Sequence, residues 1–235
     1  MSDTFVLLLL GACSLTVAQD FKRTIIAIEK PTTHGEYMFL RGGSTSGQKL
    51  SIRHNVEPTD ETSFFAQTSK GDSTLTWSSY ESGQGVYREG WIVRSAEGTP
   101  MMWTTDDESF GTNVDTDGAG YWELNTEGSG YWVVDVDMDC SATQGGWFAF
   151  KGYLIDLYRY KSEWEGSYIN QYSCDVNGTR VNVPGAQSWN HYGICGFFNI
   201  VRWNDGKCMA QEVAVVEQFV EVIRSPPTPE LLAEI

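Results

Sequence analysis

The sequence has few basic residues, and they form no cluster. It carries 16 Lys and Arg against 31 Asp and Glu over 235 residues, a formal net charge of −15. Nucleic-acid backbones are bound by clustered Lys and Arg side chains, so we exclude nucleic acid as a partner. A strongly acidic surface instead suits a secreted chain and divalent cations.

Long apolar runs are missing after the first residues, so we predict no membrane span. Residues 5–10 form one apolar run, small residues follow at 16–18, and polar Gln19 and Asp20 come too early for a span. This order is typical of a secretory signal peptide cleaved after Ala18, although its first residues lack Lys and Arg. We predict a secreted, extracellular protein with a signal peptide (1–18), one domain (19–224) and a Pro-rich tail (225–235).

Cysteine is scarce, and no two cysteines stand in a Cys-x-x-Cys pair, which argues against a zinc site. Of the five, Cys13 leaves with the signal peptide. Four remain, which allow three disulfide pairings in an oxidising compartment. The pairing we favour is Cys140–Cys195 with Cys174–Cys208. Asn177 begins an Asn-Gly-Thr sequon in a turn-like stretch, which predicts a glycosylated surface loop.

Sustained helical periodicity and internal repeats are absent too. Short apolar or alternating runs are broken by Gly, Asn, Asp and Ser, a pattern that predicts an all-β, antiparallel, jelly-roll-like β-sandwich. The predicted strands are residues 24–29, 37–41, 49–54, 75–77, 86–91, 100–104, 130–139, 146–155, 197–203 and 208–215. The last two are joined by Asn-Asp-Gly-Lys, whose Asp-Gly suits a hairpin turn.

Residues 211–224 are ambiguous. Val213, Val216, Val220 and Ile223 fit a helical stripe, whereas residues 213–216 read as a strand. We predict a strand that runs into an irregular or helical extension. The prolines of residues 225–229 end any element, and the last residues form a loose tail or a docking peptide.

The run from Trp132 to Cys140 alternates strictly. In a strand it places Asp135, Asp137 and Asp139 on one face and apolar side chains on the other. Such like charges repel unless they are solvated or meet cations. Upstream, Asn113, Asp115 and Asp117 precede Gly118 as in a calcium-binding turn. We predict that these six acidic and amide side chains hold calcium; the alternative is an ordinary acidic turn.

Aromatic residues are abundant, with 9 Trp and 11 Tyr. Exposed rings stack on the apolar faces of sugars, whereas buried rings build cores. We assign Trp132 and Trp147 to the core because they lie in well-patterned strands. The candidate carbohydrate-binding residues are Trp103, Tyr121, Trp122, Trp164, Trp189 and Tyr192.

Catalytic signatures are missing. Gly-x-Ser-x-Gly does not occur, and the three histidines have no nucleophile context. Glu163 could be paired with Glu165 or Glu36 as glycosidase carboxylates, but nothing in the sequence selects a pair. We predict a protein that is not an enzyme.

Seven short motifs follow one another along the chain. They are Glu-Tyr-Met-Phe-Leu-Arg-Gly-Gly at 36–43, Leu-Ser-Ile-Arg-His at 50–54, Val-Asp-Thr-Asp-Gly-Ala-Gly at 114–120, the strand with alternating aspartates at 131–141, Gly-Trp-Phe at 146–148, Trp-Glu-Gly at 164–166 and Cys-Gly at 195–196. In these the chain resembles a family of secreted β-domains found alone in aquatic invertebrates and after the barrel of some invertebrate and bacterial α-amylases. Where amylase-linked members carry two cysteines, residues 44–49 have none. The resemblance implies a non-catalytic module that binds starch-type or related glycans.

We therefore expect a secreted, calcium-braced, lectin-like module for α-glucan or a related polysaccharide, with glycans as partners. The alternative is a structural protein of matrix, mucus, shell or fibre that self-associates and binds calcium. A binding module saturates with soluble oligosaccharide, whereas a matrix protein ignores sugar and assembles with calcium.

Overall fold

The computed structural model describes residues 18–56, 73–77, 85–88, 91–95, 98–111, 119–156, 159, 161–166 and 168–224. For residues 85–88, 91–95, 218–219 and 221–224 only the backbone is described. The predicted signal peptide up to residue 17, the Pro-rich tail and the turn of Asn113, Asp115 and Asp117 lie outside the described residues.

The described chain is built almost entirely of strands, followed by one helix. The strands are β1 (Phe21–Glu29), β2 (Glu36–Ser44), β3 (Leu50–His54), β4 (Thr74–Leu75), β5 (Gly85–Arg88), β6 (Trp91–Ser95), β7 (Thr99–Pro100), β8 (Met102–Thr105), β9 (Gly120–Tyr121), β10 (Tyr131–Asp139), β11 (Trp147–Asp156), β12 (Lys161–Trp164), β13 (Ser173–Val176), β14 (Thr179–Asn182), β15 (His191–Ile194), β16 (Phe197–Arg202) and β17 (Cys208–Glu212). The helix α1 spans Val213–Arg224, and short 3-10 helices cover Glu108–Phe110 and Cys140–Ala142.

Two sheets form a sandwich. The larger has the order β14-β13-β17-β16-β1-β10-β3-β4, with β8 on β10 and β9 on β8. The smaller has the order β12-β11-β2-β7, with β15 on β11, and β5 and β6 pair separately. This confirms the all-β prediction. Most pairs are antiparallel, but β1–β16, β13–β17 and β8–β9 are parallel.

The alternation of β10 separates two hydrophobic clusters. Val134, Val136 and Met138 face the second sheet and pack with Phe148 and Phe150 of β11 in the main core. The opposite face of the larger sheet, called here the outer face, carries a smaller cluster that α1 covers. The larger sheet is therefore covered on one face by the smaller sheet and on the other by α1.

Helix α1 resolves the ambiguity of residues 211–224. Strand β17 ends at Glu212, and the predicted stripe of Val213, Val216 and Val220 is buried on the outer face of the sheet. Residues 213–215 are thus helical rather than strand, because only a 3.6-residue period brings all three valines onto one face.

Several strand predictions need correction. Residues 86–91 are not one strand, because the chain reverses and Arg88 pairs with Trp91. Residues 100–104 are divided between β7 and β8. The prediction missed β9 and the four strands β12–β15. For two of these strands, β12 and β14, the reason is that every residue is exposed. Strands without a buried face show no polar–apolar alternation, so the pattern gave no signal there.

Both favoured disulfides are present. Cys140–Cys195 has a Cα–Cα distance of 5.6 Å and joins the end of β10 to the turn before β16. Cys174–Cys208 spans 4.6 Å between β13 and β17. Both bridges contribute to the main core.

Candidate functional site

Two of the six candidate carbohydrate-binding rings are buried, which is a correction. Trp122 is 1% exposed and packs edge-on against Phe198 under α1, with ring centroids 6.1 Å apart. Tyr192 is 3% exposed, and its hydroxyl accepts a hydrogen bond from the Gln187 backbone nitrogen at 2.7 Å. Neither ring can stack on a sugar. Trp132 and Trp147 are buried in the main core, as predicted.

Trp103 and Tyr121 lie near each other on the parallel strands β8 and β9. Trp103 is half-buried and packs on Phe110, with centroids 5.0 Å apart. The Tyr121 hydroxyl donates to Glu108 at 3.4 Å. Phe110 is exposed, and the sequence analysis missed it.

Trp164, at the end of β12, is 44% exposed on the smaller sheet. Its ring meets Tyr153 edge-on with centroids 4.8 Å apart, and the Arg41 guanidinium lies 5.1 Å from its centroid. Part of this ring therefore supports a buried cation rather than facing solvent.

The most exposed rings are carried by two neighbouring segments within residues 168–189. Tyr168 is 78% exposed, Tyr172 55% and Trp189 58%; we call this set the aromatic surface. Backbone hydrogen bonds join the segments that carry it, since the Asn170 nitrogen donates to Ser188 O at 3.0 Å. Only Trp189 was predicted. Isolated Tyr residues in a polar stretch gave no signal that they are exposed.

A buried polar network supports the aromatic surface. Glu165, Gln171 and His191 are each at most 1% exposed. Gln171 Nε2 donates to Tyr192 O at 2.6 Å, which assigns Gln171 Oε1 as the acceptor of the Tyr192 N–H at 3.2 Å. The two chain segments that flank the aromatic surface are thereby joined.

The same network engages both nitrogens of the His191 ring. Nδ1 lies 3.0 Å from Gln171 Oε1, and Nε2 lies 2.7 Å from Glu165 Oε1. Both oxygens can accept a hydrogen bond, so the ring is held between Gln171 and Glu165 through its two nitrogens. Phe150 stacks on the ring at 5.4 Å.

Glu165 is the centre of this network. Its oxygens also accept hydrogen bonds from the backbone nitrogens of Gly152 at 3.0 Å and Asn204 at 2.8 Å. Burial alone raises the pKa of Glu165, but His191 and these backbone donors outweigh it and lower the pKa below its ordinary value. The ionised carboxylate therefore links three strands and the β16–β17 turn.

The strand aspartates have protein partners. Asp135 is fully buried on the outer face, where Arg23 donates from Nε at 3.1 Å and from Nη2 at 2.6 Å. Asn55 Nδ2 bridges Asp135 at 3.1 Å and Asp137 at 3.0 Å. Arg23 also pairs with Glu217 of α1. The predicted repulsion is thus relieved by a cation and an amide.

Asp139 has a different role. Its Oδ1 accepts from the backbone nitrogens of Asp20 and Ser141 at 3.1 Å each and caps the 3-10 helix. Burial raises the pKa of Asp139, but hydrogen bonds from the Ser141 hydroxyl and from these two nitrogens outweigh burial and lower the pKa. Within the described ranges, no group of three or more His, Cys, Asp or Glu could hold a metal. The calcium site stays a prediction.

Asn177 lies exposed in the turn between β13 and β14, with φ at 49°. Its backbone nitrogen donates to Ala210 O at 3.0 Å, and its Oδ1 accepts from the Glu212 nitrogen at 3.2 Å. The predicted surface loop is present, and its glycosylation stays a prediction.

Of the three carboxylates considered for hydrolysis, two lie at one cavity and the third is apart from them. Glu36 and Glu163 line a cavity of about 320 Å³ beside β12, together with Asp156. Glu165 is buried against His191 instead. The absence of catalysis stays a prediction.

In the part of the chain that the structure describes, no helix is long and apolar enough to cross a membrane. Comparison with protein-family models, with curated proteins and with solved structures gave no match.

Proposed function

We propose that this chain is a secreted, non-catalytic protein that binds polysaccharide through the aromatic surface of Tyr168, Tyr172 and Trp189. The observation that carries the proposal is the exposure of three large rings on two segments joined by hydrogen bonds. Large exposed aromatic rings are uncommon unless a surface binds something.

The chemistry of the aromatic surface suits a sugar. Flat rings cover the C–H faces of pyranoses, and hydroxyls need polar neighbours. Exposed Asn170 and Gln187 supply amide groups on the same two segments. Asn170 Nδ2 donates to Tyr168 O at 3.2 Å, which orders its side chain next to that ring.

Rigidity supports the proposal as well. Binding costs less when the site is already ordered. Glu165, His191 and Gln171 tie both segments together below the rings, and the Cys174–Cys208 bridge fixes the strand that follows Tyr172.

Two features favour export. Disulfides persist in oxidising compartments, and both are present. Asn177 is exposed in a turn, where a glycan is sterically tolerated. The calcium brace is part of the proposal and rests on the sequence of the acidic turn alone.

The structural alternative has one supporting observation. Strand β14 ends the larger sheet and β12 ends the smaller one, and all their residues are exposed. Open strand edges can pair with a second copy of the chain.

The test is a glycan array that includes α-glucans, run with calcium and with chelator. We expect saturable binding, and we expect Trp189→Ala to weaken the affinity about tenfold or more. Each tenfold loss of affinity corresponds to about 1.4 kcal/mol of binding free energy. Trp164→Ala is the control, because its ring is also exposed but lies against Tyr153 and Arg41, and it should bind normally.

Binding that disappears with chelator supports the calcium brace. Equal binding by the Trp189→Ala variant would contradict the assigned surface. An array without signal in either condition, together with calcium-dependent self-association, would favour the structural alternative.

A further inference from the structure

The outer face of the larger sheet contains a cavity of about 510 Å³. Strands β1, β13, β14, β16 and β17 contribute its walls. The β16–β17 turn joins the cavity to the aromatic surface, since a Cβ at Gly206 would lie 2.6 Å from both Ile169 O and Asn170 O. The cavity therefore adjoins the segment that carries Tyr168.

The floor of the cavity is apolar. Ile200 and Met209 are register partners on β16 and β17, and both line the cavity. A floor of this kind accepts the C–H face of a sugar ring by burying apolar surface.

The rim of the cavity is charged. Arg180, Arg202 and Lys207 line it, three cations in a chain of net charge −15. Glu29 accepts from Arg202 Nε at 2.6 Å, so this pair is largely neutral as a unit. Arg180 Nε donates to the Ser173 hydroxyl at 3.0 Å.

Two of these cations are available for an anion. Among the residues that the structure describes, neither Arg180 nor Lys207 forms an ion pair, and both are exposed. Asp175 is the other acidic lining residue, and its carboxylate can accept hydrogen bonds from hydroxyls.

We infer that this cavity binds an acidic sugar, a uronate or a sulfated pyranose, within the polysaccharide of the proposed function. Arg180 and Lys207 contact the anionic group through charge-assisted hydrogen bonds. Asp175 accepts from ring hydroxyls, and the floor of Ile200 and Met209 covers the apolar face. The inference rests on the proposed function and makes acidic glycans its preferred ligands.

The experiment is calorimetric titration of the full chain with a sulfated uronate tetrasaccharide of the heparin type and with neutral maltotetraose. We expect the acidic probe to bind more tightly, and its binding to weaken between low salt and about 0.15 M ionic strength. Arg180→Gln with Lys207→Gln should weaken acidic binding about tenfold or more and leave neutral binding unchanged.

The matched control is Arg159→Gln with Lys161→Gln, which removes two cations from the rim of the other cavity. It should bind the acidic probe normally, and both double variants should keep the wild-type melting temperature. Equal loss in the two double variants would show diffuse attraction and overturn the site.

A second outcome separates the two proposals. Neutral binding that depends on Trp189, without binding of the acidic probe, overturns the acidic-sugar inference alone. If neither probe binds, neither proposal stands.

Discussion

Replacing Glu165 by Gln should destabilise this protein severely, because the buried carboxylate has three donors that an amide cannot all satisfy. Its oxygens accept from His191 Nε2 at 2.7 Å, from the Asn204 nitrogen at 2.8 Å and from the Gly152 nitrogen at 3.0 Å. In Glu165→Gln, an amide NH2 must face at least one of these N–H groups. The variant also removes the negative charge next to the buried His191 ring.

The expected loss follows from the burial of the pair. Removing one partner of a buried ion pair costs about 3–5 kcal/mol of unfolding free energy. For a domain of this size, each kcal/mol lowers the melting temperature by about 2–4 °C. We therefore expect the midpoint to fall by about 6–20 °C.

The assay is thermal and denaturant unfolding of both proteins with the disulfides intact. The matched control is Glu163→Gln, two residues away on exposed β12, where the carboxylate lies 3.8 Å from Lys30 Nζ. An exposed pair of this kind contributes about 0–1 kcal/mol, so the control should unfold close to wild type. If Glu165→Gln matched Glu163→Gln, the network would not stabilise the fold.

The pH dependence has a defined sign. The pKa of Glu165 is lowered in the folded chain, whereas Glu in an unfolded chain has a pKa of about 4.3. Its contribution is therefore complete above that value and is lost as the pH falls through the folded pKa. The difference in stability between wild type and Glu165→Gln should shrink below about pH 4. A constant difference down to lower pH would contradict an ionised Glu165.

Three further substitutions test other contacts by denaturant midpoint. Arg23→Gln leaves the fully buried Asp135 without its cation and should cost about 3 kcal/mol; an unchanged midpoint would show that Asp135 does not depend on Arg23. Gly206→Ala places a methyl group against two backbone oxygens and should cost about 1–3 kcal/mol, and unchanged stability would show that the turn can move away. Changing Cys174 and Cys208 to Ser should cost about 2–5 kcal/mol, and its failure to do so would show that the bridge is energetically minor.

The sequence predicted what local periodicity encodes. The alternation of β10 correctly separated Val134 and Val136 from Asp135, because successive strand side chains point to opposite faces. The valines at 213, 216 and 220 fitted a helical stripe, but residues 213–216 fitted a strand equally well, and the helix begins at Val213. Both periodicities act over a few neighbouring residues and can therefore be read directly.

Exposure of individual rings was harder to predict, because it depends on residues distant in sequence. Trp122 lies in a polar stretch, yet it is buried because α1 folds over the outer face. Tyr168 and Tyr172 lie in a similar stretch and stay exposed. Composition is alike in both places, so only packing distinguishes them.

By itself, the sequence determined an all-β chain with enough cysteines for two bridges and an acidic strand that needs partners. Tertiary structure alone decided which partners these are. Arg23 reaches Asp135 across 112 positions, and His191 reaches Glu165 across 26, so neither pair has a local pattern. A buried charge requires an opposite charge nearby, but the fold chooses which residue supplies it.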